Sequence, residues 1–390
     1  IDAAAQINDD DDTGNALVAD QAALIAGDGI GVTTTLNTDV NEMDVDNSTG
    51  GNVAITNDGA LTLLDLPVDG DALSVNNAGG GVIIATSPLT IDDDADVGDT
   101  MMFQAGPSGG LGDDLTLSTG VTVTLTNGVA GKNLTLQAGD DILFENGSSA
   151  QTAGAAHNVT LTADSETDGS GSITQNGGGV SVVTDNLDAT AQSGIGETAE
   201  PLKIQVNTLT AVDNGTGDIT IEEEDAITLT NVTTTDGAID IAGAVTGAGD
   251  MTVMAVDSSN TDDGTNNINL ETQTGASDII FDAATPGTVI ASTTAAVDGG
   301  TAQNDVTLSA TGAITEADND TATNEIVGEV VDLTAAGGAI NSTGADTAIE
   351  IAANEISADT TGSAGGAIDI TETSPSRFTI SVPLPWQLPR

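Results

Sequence analysis

GIGVTTTLNTDVNEMDVDNSTGGNVAITNDGALTL, residues 29–63, returns as GIGETAEPLKIQVNTLTAVDNGTGDITIEEEDAITL, residues 194–229. Val40, Ile55, Leu61 and Leu63 of the first copy fall on Val206, Ile221, Ile227 and Leu229 of the second, at an offset of 166 residues. Apolar positions kept in register over that distance mark a tandem array rather than a self-contained enzyme. A partial third copy follows at an offset of 147 residues: IEIAANEISA from Ile349 matches LKIQVNTLTA from Leu202, and VTLSATGAIT from Val306 matches VTLTADSETDGSGSIT from Val159. The copies divide the chain into the end of one module over 1–66, a second over 67–231 and a partial third over 232–373, followed by a tail at 374–390.

A finer rhythm runs inside each module. Leu115/Leu117, Val121/Val123/Leu125, Leu134/Leu136, Ile142/Phe144, Val159/Leu161, Ile219/Ile221 and Ile239/Ile241 alternate with polar residues, which is the period of a strand with one buried face. Gly, Asn and Asp clusters such as NGVAGKN, QAGDD and NGTGD separate these runs and supply turning corners. The class is therefore all-β. One stretch, Ala16 to Ala26, with Leu17, Leu24 and Ile25 on one side and Gly27 behind, reads as a helical turn or two.

Many short strands fit either tandem β-sandwich domains or one parallel β-helix, a β-solenoid whose coils stack. A sandwich core about 10 Å thick calls for large side chains, and aromatics make up 1% of this chain. A thin coil can be filled by ladders of Val, Ile, Leu, Ala and Thr. Unequal spacing between copies also suits a solenoid, because extra residues can leave at a corner without disturbing the stack. The parallel β-helix is the expected fold, and the sandwich string is the alternative.

LTLQAGDDILFENG, with VTLTADSETDGSGSITQ and VTLSATGAITEADND, resembles the repeat region of very large secreted bacterial proteins of the filamentous haemagglutinin and autotransporter-adhesin type. The resemblance covers nearly all of the chain up to about Thr373, and its motifs encode a coil shape rather than a site. It implies a right-handed parallel β-helix, extracellular or at the cell surface, that works as a filament or an adhesive stalk.

Sixty-one acidic residues against four basic ones give a formal charge of −57. Such a chain is repelled by nucleic acid and by anionic membranes, so neither is an expected partner. Self-repulsion on this scale destabilises a compact state unless cations offset it. Bound calcium is the expected remedy, and a high-salt habitat is the alternative. Cysteine is absent, so neither disulfides nor thiolate metal sites hold the fold. No run of about 18 apolar residues is present. A first residue in mid-module leads us to expect a processed or excised piece.

The acidic clusters are the candidate metal ligands. Asp92, Asp94, Asp96 and Asp99 in IDDDADVGD alternate carboxylates on a turn, the kind of oxygen-rich set that hard cations require. They lack the glycine and the distal glutamate of an EF-hand loop. Asp44 with Asp46, and Asp318 with Asp320, form similar pairs, as do Asp9 to Asp12 and Asp262 with Asp263. Any single cluster has solvated acidic loop as its plain explanation. GGLGDDLTL, residues 109–117, resembles one isolated calcium-binding nonapeptide, but Asp113 and Asp114 are better explained as turn-capping groups.

Catalysis has little to rest on, and we expect no enzyme. His157, in the small-residue loop AGAAHNV, reads as a surface residue. Lys132, Lys203, Arg377 and Arg390 are too few to bind an acidic polymer, and aromatic platforms for sugar stacking are missing. Threonine runs such as VTVTLT are ordinary strand composition rather than an ice-binding face.

From Ser374 the chain reads SPSRFTISVPLPWQLPR and breaks with everything before it. Phe378, Ile380, Val382 and Leu384 alternate as one face of a strand, Arg377 can meet an acidic partner, and Trp386 is the single tryptophan. This segment is expected either to add a strand to a neighbouring subunit, burying Trp386, or to cap the last open coil. The expected role is a structural one: a calcium-stabilised segment of an extracellular filament, stalk or matrix that acts through self-association. The alternative is an adhesin stalk that binds a glycan or cell-surface receptor through inserted loops such as Ser258 to Asn267; a glycan-active β-helix enzyme is a distant third.

Overall fold

The computed structural model describes residues 1–9, 14–68, 70–107, 112–154, 156–166, 169–258, 266–282, 288–292, 304–317, 324–342, 348–360, 362, 366–373 and 377–381. Regular structure among them is entirely β-strand, and the chain falls into two compact units, Ile1–Val206 and Asn207–Arg390.

In the first unit the strands Val53–Asn57, Leu61–Leu63 and Val75–Asn77 make one coil. Each pairs in parallel with the strand three places further on, so that Val53 sits opposite Gly81, Leu61 opposite Leu89 and Val75 opposite Ala95. The rule repeats through Met101–Ala105, Leu115–Leu117 and Thr122–Leu125, and again through Asn133–Gln137, Ile142–Phe144 and Ser149–Thr152. Successive coils on one side take 28, 20 and 33 residues, measured from Val53 to Gly81, Met101 and Leu134. Corners therefore absorb the differences in length while the strands keep their register.

The second unit stacks coil on coil in the same parallel way, with Ile227–Thr234 running through two sides as one strand. One side stacks Ile219, Ile239, Ile268, Val306, Val331, Ile356 and Phe378 in register. A second side stacks Ile227, Met251, Ile279, Ile314 and Ile340, and a third stacks Val232, Val256, Ile290, Ile326 and Ile351. Three strand-bearing sides per coil, parallel and in register, make each unit a parallel β-solenoid. Tandem sandwiches, built from antiparallel sheets, do not describe it.

The core follows from the alternation. Leu61, Leu89, Leu115, Ile142, Ile173 and Ile195 form one inward ladder of the first unit, all essentially inaccessible to solvent. Thr62, Thr90, Thr116 and Leu143 stand on the outward face between them and are half-buried. Each fully buried Leu or Ile contributes on the order of 1.5–3 kcal/mol, which explains why a nearly aromatic-free interior suffices when its ladders are long. Residues 16–26 show where helical and strand periods were confused. Leu17–Ala26 is a strand that pairs with Thr38–Asn47, and its alanines fit either period until a neighbouring coil selects one.

The long repeat has a structural counterpart. Leu36–Asn47 and Leu202–Asp213 are both twelve-residue strands with nearly the same burial pattern. The glycines that introduce them match as well: φ is 114° and 66° at Gly29 and Gly31, and 115° and 71° at Gly194 and Gly196. A Cβ at Gly31 would lie 2.1 Å from the carbonyl oxygen of Ala54 on the next coil, so both the left-handed backbone and the close approach require glycine.

Aspartates tie the coils together. At a strand's start the chain turns in from a corner, and an amide N–H there is left outside the ladder. The carboxylate at the matching position of the preceding coil accepts it. Asp94 accepts from the amide of Thr122 at 2.7 Å, Asp114 from Asp141 at 3.2 Å, and Asp141 from Ser172 at 2.7 Å. In the second unit Asp218 accepts from Ala238 at 2.8 Å, Asp250 from Asp278 at 2.9 Å, and Asp278 from Ala313 at 2.7 Å. Asn267 serves Asp305 in the same way at 2.8 Å. An acid-rich sequence is thus partly a sequence rich in inter-coil acceptors, each worth about 1.5–3 kcal/mol as a charge-assisted bond where it is shielded and less where it is exposed.

Two substitutions test this construction by urea unfolding. Gly31→Ala should destabilise the protein by at least about 1–3 kcal/mol, the cost of a non-glycine residue held in the left-handed region. Gly128→Ala, where nothing lies within 4 Å of the added Cβ, should change stability by less than about 0.5 kcal/mol. Asp141→Ala, which strands both the amide and the hydroxyl of Ser172, should cost about 1–3 kcal/mol. Asp141→Asn retains an acceptor oxygen and should cost clearly less.

Candidate metal centre

The acidic clusters singled out in the sequence have distinct surroundings. Asp92 is exposed. Asp94 takes the Thr122 amide, and Asp96 is hydrogen-bonded by Thr124, with burial as the main cause that raises its pKa. Asp99 forms an ion pair with Lys132 at 2.7 Å, and that hydrogen bond holds its carboxyl below the ordinary range. Asp44 is buried and accepts the Leu66 amide at 3.1 Å. Asp46 lies two residues further along the same strand, opposite Asn76. Asp113 and Asp114 are both raised by burial first and by neighbouring aspartates second; Asp114 accepts the amide of Asp141 on the next coil rather than one in its own turn. Asp318 and Asp320 lie outside the described residues, as do Val382, Leu384 and Trp386. The backbone of Arg377–Ser381, which includes Phe378 and Ile380, pairs in parallel with Glu355–Asp359 as a further rung of its own chain.

Among the described residues, the carboxylates that do converge are Glu316, Glu325 and Glu350 of the second unit. Their ligand oxygens lie within 4.8 Å of one another, and all three residues are buried. Register places them there. Glu316 closes the strand Ile314–Glu316 and stands in line with Phe281 and Val253, at an inward position that the two preceding coils fill with apolar side chains; on the next coil its partner is Ser342. Glu325 begins the next side, immediately before Ile326, and Glu350 precedes Ile351, which pairs with Ile326.

Glu325 and Glu350 are joined twice. The Glu325 amide donates to the Glu350 carbonyl at 2.9 Å, and the Glu350 amide donates to Glu325 Oε2 at 2.7 Å. This is the inter-coil step again, made by a glutamate. The longer side chain leaves Oε1 of Glu325 buried and without a hydrogen-bond partner. Burial, with Glu350 adding to it, pushes the Glu325 carboxyl up to about 8 from an ordinary 4.5. An arrangement of three buried oxygen donors can hold a hard cation or share protons.

Other interior polar groups serve the fold. Asn57 accepts from the Thr38 hydroxyl and the Val40 amide, both at 2.9 Å, and donates to the Val40 carbonyl at 3.0 Å. His157 is fully buried rather than on the surface. Its Nδ1 accepts the Lys132 amide at 3.3 Å, and its carbonyl receives the hydroxyl of Thr184 at 3.1 Å, so the imidazole braces a corner. Ser258 and Ser292 occupy register-equivalent places on consecutive coils, and the stretches after them, 259–265 and 293–303, lie outside the described residues. Ser258 Oγ donates to the Asn266 carbonyl at 2.8 Å and Ser292 Oγ to the Asn304 carbonyl at 2.7 Å.

No protein-family model matches this chain, nor does any curated protein or solved structure.

A group raised in the folded state stabilises it fully below its unfolded pKa, and that contribution is lost as pH rises through the folded value. With chelator present, the second unit should therefore lose stability between about pH 4.5 and about pH 8. Thermal melts across that range should show the decline, and Glu325→Gln, which cannot ionise, should flatten it.

Proposed function

We propose that this protein is a structural segment of an extracellular bacterial filament, stalk or matrix, acting through self-association. The observation that supports this most directly is the use made of the side chains. Aliphatic residues fill inward ladders and aspartates bridge coil to coil, so the sequence is spent on extending one repeated rung. The recurrence of a whole module at 166 residues, down to the φ angles of its paired glycines, favours a part made in multiples. A rung such as Arg377–Ser381, laid in parallel on Glu355–Asp359, offers the type of edge to which another strand can add. Phe378, Ile380, Val382, Leu384 and Trp386 would then supply apolar contacts, and Arg377 a cation for an acidic neighbour.

A second reading has one observation in its favour. Ser258 and Ser292 hold register-equivalent positions on consecutive coils, and each bonds to the residue that follows a stretch, 259–265 or 293–303, outside the described residues. Sequence inserted between the rungs of a solenoid is where a stalk would carry recognition of a glycan or a receptor.

Negative-stain electron microscopy with sedimentation velocity separates the two. Filaments, and a sedimentation coefficient that grows with concentration and is lost on deleting residues 374–390, are expected of the structural segment. Discrete monomers at all concentrations, with retained binding to cells that disappears when 259–265 and 293–303 are replaced by short linkers, would overturn it.

A further inference from the structure

We infer that Glu316, Glu325 and Glu350 form a buried binding site for one divalent hard cation, with calcium as the fitting ion. This site is distinct from the aspartate clusters at 92–99 and 44–46 and does not depend on whether the protein assembles into filaments.

Geometry comes first. Two oxygens bound to the same calcium at about 2.3–2.6 Å can be no further apart than about 4.6–5.2 Å, and the three ligand oxygens lie within 4.8 Å of one another. Zinc, at about 2.0–2.2 Å, would draw them closer and prefers nitrogen or sulfur. Donor chemistry agrees, since carboxylates alone suit calcium, magnesium or manganese. Magnesium holds its waters and demands a near-octahedral set, which three enclosed carboxylates supply less readily.

Glu325 is the second, independent indication. Its side chain is wholly buried, one oxygen is committed to the Glu350 amide, and the other has no hydrogen-bond partner. A lone carboxylate oxygen in the interior is costly unless a cation or a proton meets it. Glu316 brings a second buried carboxylate from another side of the coil, at a ladder position where the preceding coils carry Val253 and Phe281. An apolar side chain would satisfy the packing there, so a carboxylate at that point calls for a function of its own. The ion would join the end of one side, the start of the next and the coil above.

The test uses the intact chain. Calcium binding is measured by titration calorimetry in about 150 mM KCl, which screens weak association with exposed carboxylates. The wild type should bind one ion that Glu316→Gln and Glu325→Gln each weaken at least tenfold, whereas Asp92→Asn leaves it unchanged. Hydrogen-exchange mass spectrometry of the wild type, with calcium and with chelator, gives a localised readout that needs no variant. Exchange should slow in peptides carrying 314–317, 324–327 and 349–352, and stay the same over 89–125. Equal affinity in the glutamine variants, no ion retained at that ionic strength, or calcium protection confined to other peptides would overturn the site. So would an increase in chelated stability in Glu325→Gln without any calcium effect on the wild type, because the cluster would then be a set of carboxyls that share protons.

Discussion

Everything in this molecule depends on the register between a strand and the strand stacked on it in the next coil. Because side chains alternate, a slip of one residue would turn each aliphatic ladder to solvent and bring its threonines and aspartates inside. Hydrogen bonds of the parallel ladder cannot set that register alone, since they are much the same after a shift. Inward Leu, Ile and Val set it through burial, and the aspartate steps set it again through position. A carboxylate such as Asp141 reaches one amide, that of Ser172, only when Ile142 lies against Ile173. Apolar packing and charge-assisted bonds thus select the same pairing, which is the kind of agreement between levels that gives one structure rather than several.

The same devices reconcile a formal charge of −57 with a folded chain. Much of the acidity is not decoration on a surface. Asp94, Asp114, Asp141, Asp218, Asp250 and Asp278 each hold a donor on the next coil, so the hydrogen bonds they gain work against mutual repulsion. Glu325 extends the pattern inward. Its step to Glu350 is the same bond, but the longer side chain and the enclosed corner leave an oxygen that wants a counter-charge.

The fold was legible because its code is local. Period-2 alternation gave the strands, Gly and Asp clusters gave the corners, and scarcity of aromatics pointed to thin coils. Residues 16–26 were misleading because Ala19, Ala22, Ala23 and Ala26 satisfy a helix as well as a strand, and the decision belongs to Thr38–Asn47 on the neighbouring coil. His157 looked exposed among small residues because nothing local announces that its ring supports the Lys132 amide. Acidic runs drew attention to Asp92–Asp99, whereas the converging carboxylates come from three separate strand ends. A signal did exist: in VTLSATGAITE the alternation that buries Ile314 also buries Glu316, and an inward glutamate is unusual enough to notice. Its partners could not be found that way, because the pairing of Ile326 with Ile351 is a property of the stack.

The register itself can be measured directly, since the chain has no cysteine to interfere. Thr116 and Leu143 are outward, paired residues on adjacent strands. Such neighbours lie about 4.8 Å apart, within reach of a disulfide. In the double variant Thr116→Cys/Leu143→Cys, mild oxidation should form an intramolecular bond nearly quantitatively and without loss of stability, while Thr116→Cys/Glu145→Cys, displaced by two residues, should form it poorly. Equal or preferential bonding of the displaced pair would contradict the coil-on-coil register from which the ladders, the aspartate steps and the glutamate site all follow.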